Sequence, residues 1–191
     1  MSSALTEDIT ARGRIVGAAM TLFSAQGFRA STVRAIAEAA GVSPALVVHH
    51  FGGKDGLRRE CDGRVIRFVK TKREAGAVGG VLAEATDRFG PYLARMLSEP
   101  GAAADALFDQ LLDAARDAVA EGVRSGTMRG SADPEAQAAA VVMLGVAPFF
   151  LAHQLARWAD GDARSGIGRV AQPLADIYAR GLFVAADGSR S

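Results

Sequence analysis

Hydrophobic residues recur every three or four positions along most of the chain, a spacing that predicts amphipathic helices. Near the N-terminus, Ile15, Ala19 and Leu22 share one helical face, and the same period returns in later segments. Alternating runs of β-branched residues, which would predict strands, are scarce. Alanine, the strongest helix former, supplies much of the apolar content. The pattern predicts an all-α protein of about nine helices.

Capping residues and glycines divide the N-terminal third of the chain into short helices. Ser43 is a favourable N-cap, and Pro44 occupies the first helical position, where a missing N–H group costs nothing. Gly27 and Gly41 suit the positive φ at which many helices end. The predicted helices span residues 10–26, 32–40, 44–51 and 54–73. Two short helices joined by a Gly-Val-Ser turn at residues 41–43 predict a helix-turn-helix.

Five further helices are predicted after a glycine-rich hinge at residues 76–80. They span residues 81–89, 91–98, 103–124, 133–158 and 167–184. The Gly90-Pro91 pair is expected to separate two of them, and residues 161–166 form a polar loop. The apolar run at residues 138–152 is shorter than the roughly 20 residues that a membrane span requires. Pro148 interrupts this run, so we expect a kinked, buried helix and no membrane contact.

Charge is distributed unevenly along the chain. Residues 1–75 hold twelve basic and seven acidic side chains, a net charge of +5, whereas the remaining residues carry −4. A basic N-terminal part followed by an acidic remainder favours an N-terminal part that binds nucleic acid. The first ten residues lack the apolar stretch of a secretory signal, and a lone cysteine, Cys61, forms no disulfide within the chain. Both features favour a cytoplasmic location.

Candidate catalytic chemistry is sparse. The sequence has no nucleophile–base pair, paired acid motif, phosphate-binding glycine loop or metal-ligand cluster, so we expect no enzyme, no metal and no cofactor. His153 lacks Cys, His or Glu at ligand spacing beside it, which favours a core or pocket histidine. Cys61 shares an apolar stripe with Leu57 and Val65, which favours inert packing over a redox switch.

The segment Ser-Thr-Val-Arg-Ala-Ile-Ala-Glu-Ala-Ala-Gly-Val-Ser at residues 31–43, followed by His50-Phe51 and Lys54, resembles the DNA-binding signature of the tetracycline-repressor (TetR) family. The resemblance covers residues 10–60. It implies a DNA-binding domain over residues 1–55, ordered from residue 10, and a ligand-binding and dimerisation domain over residues 56–191. The recognition helix would be the third helix, inserted into the major groove of double-stranded DNA at an inverted-repeat operator.

The resemblance also implies DNA contacts at individual positions. These are Thr32, Arg34, Ser43, Pro44, Ala45, Leu46, Val48, His49, His50 and Lys54. Lys54 corresponds to a phosphate-binding lysine, whereas core packing is an equally good interpretation of His50. The family usually has glycine in place of Ala45 and tyrosine in place of Val48. Val48 cannot donate a hydroxyl hydrogen bond to phosphate, but it can touch a thymine methyl group.

For the C-terminal part, the family implies a homodimer and a small effector that releases DNA. The proposed dimer residues, on the last two long helices, are Val142, Leu151, Leu155, Leu174 and Tyr178. Large apolar side chains predict a cavity for a hydrophobic, uncharged or weakly acidic molecule, although only a subset is expected to line it and most are expected only to pack the core. The candidate lining residues are Phe89, Tyr92, Met96, Phe108, Leu112, Met143, Phe149 and His153. A helical adaptor or a small-molecule-binding protein without DNA binding is the alternative function.

Overall fold

The structure is a computed structural model that describes the backbone of residues 2–74 and 78–180, and within these ranges it contains nine α-helices and no strand. Side chains are described from residue 10 to residue 177, except residues 72–83, 86–87 and 175. The predicted all-α class is confirmed. In chain order the helices are α1 (Ser2–Ala30), α2 (Val33–Ala40), α3 (Pro44–Phe51), α4 (Lys54–Glu74), α5 (Val78–Ser98), α6 (Ala102–Arg124), α7 (Pro134–Phe150), α8 (Ala152–Trp158) and α9 (Ala163–Arg180).

The chain forms two compact units. Unit 1 comprises residues 1–71 and 89–114, and unit 2 comprises residues 72–88 and 115–191. The core of unit 1 contains fully buried side chains from α1, α2 and α4, among them Ile15, Phe23, Ile36 and Leu57. The predicted division of the chain at residue 55 stays a prediction. The boundaries of the compact units differ from the predicted domain boundary, because α4 packs with the second half of α5 in unit 1. The contact of Phe68 with Phe89 shows this packing.

Several predicted helix limits in the C-terminal part are wrong. Helix α5 runs through Gly90 and Pro91 without a break, because a row of buried side chains on both sides of the proline holds the helix together. The hinge predicted at residues 76–80 is already helical from Val78, and residues 76 and 77 lie outside the described part. Helix α9 begins at Ala163, where Asp162 accepts a 2.8 Å hydrogen bond from the Ser165 backbone N–H.

The helix predicted over residues 133–158 is two helices. It starts as expected, with Asp133 accepting from the Ala136 N–H and Pro134 in the first turn. It then bends by 62° between α7 and α8 at Leu151, three residues after Pro148. Helix α1 also begins earlier than predicted, at Ser2.

Two helix backbones of unit 2 approach each other closely. A Cβ atom built at Gly166 of α9 would overlap the carbonyl group of Leu155 in α8, so only glycine fits at this crossing. In the described part of the chain, no single helix is long and apolar enough to cross a membrane, although α7 and α8 taken together meet that test by length and composition.

Candidate DNA-binding site

Local capping chemistry builds the turn between α2 and α3. The Thr32 hydroxyl accepts a 3.1 Å hydrogen bond from the Ala35 N–H and begins α2. Gly41 ends α2 in the left-handed conformation, with φ 65° and ψ 42°, a region that favours glycine. The Val42 N–H then donates to the Ala37 carbonyl at 2.9 Å. These bonds fix the turn that the sequence predicted.

Helix α3 starts and stops where the sequence predicts. The Ser43 hydroxyl accepts a 3.2 Å hydrogen bond from the Leu46 N–H, and Pro44 occupies the first turn. Gly52, with φ 70°, ends the helix. Val47 and Phe51, one turn apart, are buried and attach α3 to the rest of unit 1. One face of α3 is therefore packed against the rest of unit 1, and the opposite face is exposed to solvent.

The presented face of α3 carries four of the predicted DNA contacts. Pro44, Ala45, Val48 and His49 are all exposed, and half of the Val48 surface is open to solvent. Leu46 and His50 lie at the edges of this face and are half-buried. The His50 ring contacts the rings of both His49 and Phe51, so core packing accounts for part of its surroundings.

Helix α2 presents its N-terminus on the same module. Thr32 and Arg34 are exposed, and Arg34 lies in the first turn. The first N–H groups of a helix have no acceptor within the helix, and the helix dipole favours an anion there. Backbone amides and a guanidinium at one helix end are suited to a DNA phosphate.

Lys54 has a structural role that sequence reasoning missed. Its ammonium group donates to the carbonyls of Phe28 and Ser31 at 3.0 Å each and lies 3.4 Å from that of Arg29. It also lies 4.4 Å from the centroid of the Phe28 ring. These contacts use all three N–H donors of the lysine at the end of α1. Phosphate binding by Lys54 stays a prediction, and the contacts described here compete with it.

Gly27 allows the chain to turn at this junction. Its φ of 83° and ψ of 169° interrupt α1, and a Cβ atom there would overlap the Glu99 carboxylate. Glu99 pairs with Arg95 at 2.9 Å, and Arg95 donates to the Gln26 carbonyl at 3.3 Å. The end of α1 thus meets the start of α4 and the end of α5 within unit 1.

A buried polar cluster on α4 is the second feature that the sequence analysis missed. Arg58 donates to Asp62 at 2.5 Å and to the Ala103 carbonyl at 3.3 Å, while the Tyr92 hydroxyl donates to Asp62 at 2.7 Å. All three side chains are buried, with Asp62 completely so. Burial raises the pKa of the Asp62 carboxyl, against the lowering effects of Tyr92 and Arg58. The spacing of Arg58 and Asp62, one helical turn apart, was the available signal.

Cys61 lies beside this cluster and is fully buried. Its burial and the nearby Asp62 charge raise the pKa of the thiol to about 12. A thiol in this state is a poor nucleophile at neutral pH, in agreement with the predicted inert packing.

The predicted effector residues are divided between the two units. Phe89, Tyr92 and Met96 are buried in unit 1, where the Tyr92 hydroxyl is already bound to Asp62. Core packing, the alternative interpretation, accounts for these three. In the same unit, Phe108 is exposed and Leu112 is half-buried.

In unit 2, the candidate effector residue Phe149 is buried, whereas Met143 and His153 are exposed. A groove of about 340 Å³ lies between α1 and α2, and none of the predicted effector residues borders it. The effector site therefore stays a prediction.

The predicted dimer residues have mixed exposure in the single chain. Leu151 is half-exposed and Val142 is buried, while Leu155 and Leu174 are half-buried. The side chain of Tyr178 lies outside the described residues. Other large apolar side chains on the same helices are also exposed, namely Met143, Phe150 and Trp158. Among the described residues, no group of three His, Cys, Asp or Glu side chains is placed to hold a metal ion.

Comparisons with known proteins agree with this architecture. Residues 15–61 match the family model of bacterial regulatory proteins of the tetR family, and residues 87–184 match a tetracycline repressor-like C-terminal domain. The chain is 36% identical over 190 residues to the HTH-type transcriptional regulatory protein RaaS of Mycobacterium tuberculosis, covering 92% of this chain and 88% of that protein.

Solved structures share the fold at low sequence identity. The fatty acid degradation regulator FadR of Bacillus halodurans aligns with a TM-score of 0.68 at 14% identity, covering 90% of this chain and 99% of that one. FadR of Bacillus subtilis, solved with stearoyl-CoA, aligns with a TM-score of 0.59 at 16% identity, covering 89% and 98%. The two family models and the similarity to RaaS over most of the chain lead to one conclusion: the chain belongs to the tetR family of bacterial helix-turn-helix transcriptional regulators.

Proposed function

We propose that this regulator binds an inverted-repeat operator as a homodimer, represses transcription there, and leaves the DNA when a small hydrophobic molecule occupies the C-terminal part. The observation that carries the DNA-binding proposal is the capped α2–α3 pair, in which one face of α3 is buried and the opposite face is exposed. Such a pair places its second helix in the major groove. We further infer that it acts in the cytoplasm, where its DNA target lies.

The homodimer proposal rests on the apolar surface of α7 and α8. Leu151 exposes 51% of its surface and Phe150 exposes 45%, and both follow directly on the buried Phe149. A second copy of the same surface would remove these side chains from water. A symmetric dimer would also set two copies of α3 about one DNA turn apart, roughly 34–36 Å, as an inverted repeat requires.

A matched pair of variants tests which cations anchor DNA. Arg34→Ala is expected to weaken binding to all sequences and to reduce the salt slope by about one unit, because one phosphate contact is lost. The variant should unfold like the wild type, since Arg34 is an exposed side chain. Binding isotherms at several salt concentrations, together with urea unfolding, measure both quantities.

Lys54→Ala is expected to have a different signature. Loss of its hydrogen bonds at the end of α1 should reduce the free energy of unfolding by about 1.5–3 kcal/mol, the usual range for bonds made by charged groups. A salt slope that also falls by one unit would support a phosphate contact in addition to this structural role. Wild-type stability in Lys54→Ala would contradict the role that the structure gives to this lysine.

The effector proposal is that an uncharged or weakly acidic, mostly hydrophobic molecule shifts the protein to a state that does not bind DNA. Its support is the number of large apolar side chains in α5, α6 and α7, together with the apolar acyl chain of the stearoyl-CoA bound to the related fold in FadR of Bacillus subtilis. An effector releases DNA only to the extent that it prefers the DNA-incompetent state. A coupling free energy of about 1–3 kcal/mol is typical of such systems. We propose that a tilt of α4 transmits the change.

Stearate and stearoyl-CoA form a suitable pair of probes, because they share the acyl chain and differ in the large charged group. Stearate is expected to raise the melting temperature and to release a bound operator fragment in proportion to its occupancy. Thermal shift and fluorescence anisotropy of labelled DNA measure the two effects. Stabilisation by highly charged compounds alone would contradict the proposed chemistry, and ligand binding without any DNA binding would favour the alternative of a small-molecule-binding protein.

A further inference from the structure

The exposed face of α3 has an unusual composition for a helix that reads base edges. Its sequence, Pro-Ala-Leu-Val-Val-His-His-Phe, contains no Arg, Lys, Asn, Gln, Asp or Glu. Bidentate hydrogen bonds to guanine come from Arg or Lys, and those to adenine come from Asn or Gln. Helix α3 can make neither kind of pair.

The burial of one face of α3 further limits which of its side chains can contact bases. Val47 and Phe51 are buried, so α3 is fixed in its rotation about its own axis. The arc opposite to them holds Pro44, Ala45, Val48 and His49, all exposed. Three of these four side chains are apolar, and His49 is the only one with a hydrogen-bonding group.

Apolar side chains in the major groove have one complementary partner among the bases. Thymine presents its C5-methyl group there, whereas the other major-groove edges present hydrogen-bond donors and acceptors. Val48 exposes 50% of its surface and offers two methyl groups, and the neighbouring Ala45 offers one. When an exposed valine in this position covers a thymine methyl group, the protein–DNA complex is stabilised. When it covers any other base, it removes water from polar groups of that base without replacing their hydrogen bonds.

We propose that Val48, supported by Ala45, is the specificity-determining residue of this regulator and reads thymine through its C5-methyl group. The proposal rests on the DNA-binding function proposed above and names the chemistry by which the same surface selects its sequence. Each operator half-site then contains at least one thymine whose methyl group contacts Val48. His49 supplies a single hydrogen bond to an adjacent base, and Arg34 and the N-terminus of α2 hold the phosphates.

The experiment begins with selection of preferred sites from a random DNA library by the full-length protein. Each thymine of the selected half-site is then replaced by uracil, which differs only by lacking the C5-methyl group. At one position or more, wild-type protein is expected to bind the uracil site roughly four-fold more weakly, the equivalent of about 0.8 kcal/mol for one buried methyl-sized group. Val48→Ala should bind the thymine and uracil sites nearly equally at that position.

Two matched comparisons make the result specific. Val123→Ala changes another valine that is 42% exposed, on α6, and should keep the full preference for thymine. The thymine-to-uracil change combined with Val48→Ala forms a double-mutant cycle, so the coupling between side chain and methyl group is measured directly.

The possible failures are distinguishable. Selection of no preferred sequence would overturn the sequence-specific DNA-binding function and this inference with it. Specific binding that is indifferent to uracil at every position, or a thymine preference that persists in Val48→Ala, would overturn the inference alone. A preference located at a guanine and abolished by Arg34→Ala would assign specificity to α2 instead.

Discussion

Replacing Asp62 with leucine is expected to lower the free energy of unfolding by about 3–5 kcal/mol, because the variant leaves the Arg58 charge buried without its partner. Arg58 exposes only 7% of its surface, so its guanidinium cannot turn to water without movement of α4. Urea denaturation followed by circular dichroism, at one fixed protein concentration, measures the loss. The fixed concentration matters because the proposed dimerisation would make the apparent stability depend on protein concentration.

A variant that removes the whole cluster is the matched control. Arg58→Met combined with Asp62→Leu and Tyr92→Phe replaces the three polar groups by apolar groups of similar size, so no buried charge remains. Replacing buried ion pairs in this way is often neutral or stabilising. The triple variant should therefore be more stable than Asp62→Leu alone by about 2 kcal/mol or more. Equal instability of the two variants would show that side-chain packing, and not the unpaired charge, accounts for the loss.

Tyr92→Phe separates the contribution of the hydroxyl group. The variant keeps the ring, which lies 6.5 Å from the Phe23 ring, and removes only the 2.7 Å hydrogen bond to Asp62. A bond to a charged acceptor contributes about 1.5–3 kcal/mol, so this variant should lie between the wild type and Asp62→Leu. This order of unfolding free energies would show that the Arg58–Asp62 ion pair contributes more to stability than the Tyr92–Asp62 hydrogen bond.

Replacing Leu151 with glutamate is expected to convert the proposed dimer into monomers at micromolar concentration. Leu151 is half-exposed in the single chain and lies at the bend between α7 and α8, so the single chain tolerates a charge there. In the proposed dimer the same carboxylate would be buried without a partner, at a cost of several kcal/mol. Sedimentation velocity measures the change, and affinity for an inverted repeat should fall with it.

Val123→Glu places the same charge on another exposed apolar position of unit 2. Val123 is 42% exposed and lies on α6, which is not one of the proposed interface helices, so this variant should remain dimeric. A Leu151→Glu protein that is folded and still dimeric would show that the interface lies elsewhere. A substitution of Val142 is less informative because this residue is already buried within the single chain.

The sequence predicted the DNA-binding head closely because its features are local. Thr32, Ser43, Pro44 and Gly41 act on backbone groups within four residues of themselves, so their effects can be read from neighbouring letters. The same holds for Asp133 and Pro134 at the start of α7. These are the places where the predicted and observed helix limits agree.

Distant contacts explain where prediction failed. The Gly90-Pro91 pair was expected to separate two helices, yet burial of Tyr92, Leu93 and Met96 keeps α5 continuous. Packing of this kind outweighs the local preference of proline. The structural role of Lys54 at the end of α1 also escaped prediction, because its backbone acceptors lie 23 to 26 residues earlier in the chain. The partners of Asp62 include Tyr92, which is 30 residues away.

The sequence by itself determined the helical class and the helix-turn-helix with its caps, since both follow from residues within one or two turns. Only the tertiary structure decided that Lys54 caps α1, that Arg58, Asp62 and Tyr92 form a buried cluster, and that α8 and α9 cross at Gly166. The physical reason is that a polar group taken out of water must find a partner. Which partner it finds depends on how separate helices pack, and the pattern of neighbouring residues does not predict that packing.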